Sequence, residues 1–108
     1  MDQPLERLAD LASLAHARIQ QDFAQLDPIV GVSRNMRTQG VPADLITIDC
    51  LKSGKRIILL LHDQQPGSLS YQFSWRRAEA PDGFESLPLA PVSADTLYAW
   101  MRDYFRPT

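Results

Sequence analysis

A chain of 108 residues with 44% hydrophobic and 22% charged side chains can build one modest core and is too apolar for wholesale disorder. Its formal charge of -2 gives no general attraction to nucleic acid or anionic membrane, and a single cysteine, Cys50, excludes an internal disulfide or a cysteine-built zinc cluster. No apolar run approaches the roughly 20 residues that span a bilayer, and the first residues lack the basic and apolar regions of a signal peptide, so a cytoplasmic single domain over 1–108 is expected.

Leu5, Leu8, Ala12, Ala15, Ile19, Phe23 and Leu26 recur at three- and four-residue steps, which predicts an amphipathic helix over 5–26. Asp2 suits its N-cap, Pro4 its first turn, and Asp27-Pro28 its end, because a residue before proline disfavours helical backbone. Residues 28–44 have no sustained period. Ile29 to Val32 offers a short edge strand, and the rest, punctuated by Gly40 and Pro42, reads as a long connection.

Leu45 to Leu51 alternates, with Ile46, Ile48 and Cys50 on one side and Leu45, Thr47, Asp49 and Leu51 on the other. A turn at Lys52-Ser53-Gly54-Lys55 follows, then the stretch Arg56 to His62 with five consecutive branched apolar residues. Apolar on both faces, that stretch predicts the central strand of a sheet. With Ser53-Gly54 as a two-residue loop, Cys50 would face Ile57, Ile48 would face Leu59 and Ile46 would face Leu61. Leu69, Tyr71, Phe73 and Trp75 alternate with Ser70, Gln72, Ser74 and Arg76, predicting a third strand whose Tyr71 and Phe73 join the core side. Leu59 should therefore lie opposite Tyr71 or Phe73.

Arg77 to Val92 is rich in proline and reads mainly as loop, with Phe84 to Leu89 as a further edge strand. Ser93 suits an N-cap, and Leu97, Trp100, Met101, Tyr104 and Phe105 form an aromatic-rich helical stripe ending before Pro107. The expected fold is α+β with two layers: an N-terminal helix, an antiparallel three-strand meander with room for one or two edge strands, and a C-terminal helix.

Chemistry is harder to place. His62 and Asp63 are the most suggestive pair for acid–base work, yet adjacent strand residues point to opposite faces. Cys50 shares the side of Ile46 and Ile48, where a thiol packs as a small hydrophobe. No serine sits in a nucleophile elbow, and His16 and His62 show no metal-ligand spacing. No catalytic set, metal or cofactor is therefore assigned.

Residues 28–62 hold five basic and two acidic side chains, the only locally cationic third of the chain. Arg34, Arg37, Lys52, Lys55, Arg76 and Arg77 could gather beside Trp75 as a basic patch for nucleic acid, a reading ranked below a solvated rim. The far face of the sheet is more informative. Leu45, Ile58 and Leu60, rimmed by Arg56, His62 and Gln72, have the composition of an interface. The expectation is thus a small non-enzymatic binding or adaptor protein working through a sheet face or edge, with a protein partner or a second copy. The alternatives are a small-ligand or enzymatic domain using His62, Asp63 and Arg56, and a nucleic-acid binder using the basic 34–56 region.

Overall fold

The computed structural model describes residues 3–76 and 83–106. Helix α1 spans Gln3–Asp22, and strand β1 (Ile29–Ser33) is followed by a single helical turn, α2 (Asn35–Thr38). Strands β2 (Ala43–Cys50), β3 (Lys55–His62), β4 (Ser68–Trp75) and β5 (Glu85–Pro88) come next, and α3 (Ala94–Phe105) closes the fold. The expected N-cap Asp2 and the Pro107 expected just beyond the last helix lie outside the described residues.

The five strands form one antiparallel meander in chain order, so the doubly apolar β3 is central, as its composition requires. Both short edge strands are present. The α+β class and the helix–meander–helix order follow directly.

Helix α1 stops four residues earlier than its apolar spacing suggests. Phe23–Leu26 forms a turn instead, and Asp27 adopts a left-handed φ of 31° before Pro28. Leu26 is still buried in the core, so the spacing records burial correctly but not helicity.

The β2–β3 register corrects the expected hairpin. Cys50 pairs with Lys55, Ile48 with Ile57 and Ile46 with Leu59, two residues away from the pairing a two-residue loop would give. The loop is four residues, Leu51 to Gly54. It closes through the Gly54 amide on the Cys50 carbonyl (2.9 Å), with Gly54 at φ 76° where a side chain would strain. Because a slip of two preserves the alternation of faces, every apolar partner stays on its expected side. The β3–β4 register is as expected, with Leu59 opposite Tyr71 and Ile57 opposite Phe73.

Both long helices pack on one face. Leu5, Leu8, Ala12, Ala15 and Ile19 of α1 and Leu97, Met101 and Phe105 of α3 meet Ile46, Ile48, Cys50, Ile57, Leu59 and Leu69 of the sheet. Polar contacts fix the two helices to each other: Arg18 pairs with Asp95 and lies 4.1 Å over the Tyr98 ring, while the Tyr98 hydroxyl donates to Asp22 (2.7 Å). Ser93 caps α3 in a reciprocal capping box with Thr96.

The C-terminal stripe divides by depth. Leu97, Met101 and Phe105 are core, whereas Trp100 and Tyr104 form a half-buried aromatic ledge with Tyr71 and Phe73, ring centroids 4.8–5.6 Å apart. Phe73 remains 41% exposed there, so it lies on the core side without being enclosed.

Candidate functional site

With the helices on one side, the far face of the sheet carries the residues expected of it. Leu45 pairs directly with Leu60, Ile58 with Gln72 and His62 with Ala43. Arg56 is held across the β2–β3 ladder by Asp49, with Nε to Oδ1 at 2.6 Å and Nη2 to Oδ2 at 2.9 Å. That carboxylate raises the Arg56 pKa further above its ordinary value. The face is nonetheless not an open apolar patch. Ile58 is only 8% exposed, and the Gln72 amide donates to the Gly83 carbonyl (3.5 Å), which places Gly83 at its margin.

The exposed apolar surface lies at the sheet border instead. On β1, Ile29 and Val32 are each 51% exposed. This strand, Ile29-Val30-Gly31-Val32-Ser33, has no charge and no proline, and among the described residues none of its backbone groups bonds a partner beyond β2. The opposite border differs. Strand β5, Glu85-Ser86-Leu87-Pro88, carries a carboxylate and a proline, both of which discourage a further strand. One border is protected and the other is not.

Gly31 adds to the contrast. Its φ is not in the left-handed region, and a Cβ placed there would meet only Thr47 Oγ1 at 3.5 Å, an ordinary contact. The fold of one chain therefore does not demand glycine at a position where glycine weakens a strand. Sequence reasoning named this segment as an edge strand but not as a site. An uncharged edge interrupted by glycine is the signal that could have marked it.

The basic residues do not form one patch. Arg37 sits between two carboxylates, bonding Asp44 through Nε (2.7 Å) and Nη2 (2.8 Å) and Asp63 through Nη1 (2.9 Å) and Nη2 (2.8 Å). Arg34 adds a third guanidinium contact to Asp44 at 3.1 Å. Lys52, Lys55 and Arg76 lie at the other end of β2, about 23 Å away at the usual rise over the seven steps of that strand. Lys55 there donates to the Tyr104 carbonyl (2.9 Å) near the exposed Trp75. Arg77 falls outside the described residues.

Asp44 is 2% exposed, on the core side of β2 at the sheet's end. The Arg37 hydrogen bonds hold its carboxyl below the ordinary carboxylate pKa, overcoming the opposite pull of burial. Asp63 is lowered by the same guanidinium. A cleft of about 340 Å³ opens beside this pair, lined among others by Leu61, His62, Asp63, Gln65 and Leu89. In it, His62 Nδ1 accepts the Gln64 amide (3.1 Å), while Arg56 is six residues back along β3, about 20 Å distant at the strand rise. His62 and Asp63 thus share a cleft and Arg56 does not.

Cys50 is buried, its thiol 3.6 Å from the Leu26 carbonyl, and His16 Nε2 bonds the Pro28 carbonyl. Among the described residues, no cluster of three metal-ligating side chains occurs and no helix is long and apolar enough to cross a membrane. In comparisons with known proteins, the chain matches no family model, no curated sequence and no solved structure.

Proposed function

We propose that this chain is a small cytoplasmic, non-enzymatic binding protein that works by protein–protein contact at the open border of its sheet. A segment of another polypeptide adds to β1 as a sixth strand beside the five present. One observation carries this reading: β1 is an uncharged, proline-free edge with Ile29 and Val32 half exposed, whereas β5 is protected by Glu85 and Pro88. Main-chain hydrogen bonds would supply the attachment, and the alternate side chains of β1 the selectivity.

The test uses amide hydrogen exchange on the protein alone and with a partner recovered from the source cell. Exchange should slow in β1, and the double substitution Ile29→Lys/Val32→Lys should release the partner while Ser86→Lys on β5 keeps it. A complex whose β1 amides exchange unchanged, or that survives the two lysines, removes the reading.

A second reading rests on the cleft beside His62, which suits a small ligand with one hydrogen-bonding group. A fragment screen followed by NMR should then show saturable shifts at Leu61, His62 and Leu89. Affinity should fall roughly tenfold in His62→Ala, the effect of losing one buried hydrogen bond. Shifts that ignore this substitution dispose of the ligand site.

A further inference from the structure

Resting on the strand-addition reading, we infer that the polypeptide supplying the added strand is a second copy of this chain. The two β1 strands join antiparallel about a two-fold axis at Gly31, making one ten-stranded sheet from two five-stranded ones.

The strand is complementary to itself. Full antiparallel overlap of its five residues sets Gly31 against Gly31, Val30 against Val32, and Ile29 against Ser33 of the other copy. The two valine pairs fall on the helical side, where Val30 is half-buried and Val32 is now exposed. Each exposed Val32 thereby gains an apolar partner, the kind of cross-strand pair that stabilises a sheet. No charge within either strand opposes the approach. Slipping the register by two residues in either direction leaves residues of each strand unpaired.

Glycine at the axis fits the same arrangement. It is the one position where the two chains present the same residue to each other, and the one in β1 where a side chain is missing although the single chain leaves room for it. Glycine within a strand commonly marks close approach of another backbone. Pairing Gly31 with itself also keeps all four long helices on one side of the joined sheet, because paired residues point to the same face.

Light scattering across a range of concentrations provides the first test. The native chain should show the mass of two copies, Ile29→Lys/Val32→Lys should dissociate at least roughly tenfold more readily, and Ser86→Lys should match the native chain. Far-UV circular dichroism checks that each variant is folded, which is expected because Ile29 and Val32 are half exposed. The register is tested separately by mild oxidation. Gly31→Cys should form an inter-chain disulfide readily, whereas Ile29→Cys, which faces Ser33, should not; the buried Cys50 does not compete.

A native mass of one copy at every concentration overturns the second-copy proposal. So does a dimer that the two lysines leave intact, or one in which Ile29→Cys cross-links as well as Gly31→Cys. The first outcome leaves strand addition itself to stand or fall on the exchange and release experiment with a partner, so the two failures are distinguishable.

Discussion

Replacing Leu59 by alanine should cost the fold about 3–4 kcal/mol, while the same change at its neighbour Leu60 should cost about 1 kcal/mol. The two residues are adjacent in the central strand and chemically identical. Leu59 is fully buried beneath the helices, in contact with a core that includes Ile46, Leu97 and Met101. Its truncation leaves a cavity that rigid neighbours on three elements cannot collapse. Leu60 is half-buried on the far face, opposite Leu45 and Ser70, where water can fill the space vacated. Urea denaturation of the two variants measures both costs. Equal losses would mean that the far face is as enclosed as the helical one, and the two-layer description would be wrong.

The second large effect is expected at Asp44. Asp44→Ala should destabilise the protein by about 2–3 kcal/mol, the range for removing a buried carboxylate with charged hydrogen-bond partners. Arg37 would keep Asp63, and the partly exposed Arg34 would turn to solvent, which limits the loss. The acid response gives an independent check. Because Arg37 holds the folded-state pKa of Asp44 below its unfolded value, its contribution is complete above the ordinary carboxylate value near 4 and is lost as pH falls through the folded-state value. The native protein should therefore lose stability as pH drops below about 4, and Asp44→Ala should lose less over the same interval. A variant whose acid unfolding profile parallels that of the native chain would show that this carboxylate is not held ionised by the guanidinium. Part of the slope should persist in the variant, since Asp63 is lowered by the same partner.

The same corner shows why the site was only partly legible beforehand. Arg34 and Arg37 read as members of a basic patch or a solvated rim, and the strand was expected to begin at Leu45. In the fold β2 begins at Ala43, which puts Asp44 on the core side, and the α2 turn brings both arginines back to it. Nothing in local periodicity reports such a return. The split of the basic residues between two ends of the sheet has the same origin, because charge along a chain does not specify which end of a strand each residue reaches.

What the chain determined unaided was the face of the alternating residues in the three central strands. A period of two separates Ile46, Ile48, Ile57, Leu59 and Leu69 from Leu45, Ile58, Leu60, Ser70 and Gln72, and no packing decision is needed to make that division. Burial on α1 and α3 was equally local, since a 3.6-residue repeat selects one stripe. Register, enclosure and exposure were decided only in three dimensions. A four-residue turn rather than a two-residue one displaced the hairpin without changing its faces, because closure depends on Gly54 and its neighbours rather than on the apolar pattern. Whether an apolar edge is covered depends on which other elements reach it, and among the described residues the meander order leaves β1 at the border with its outer side open.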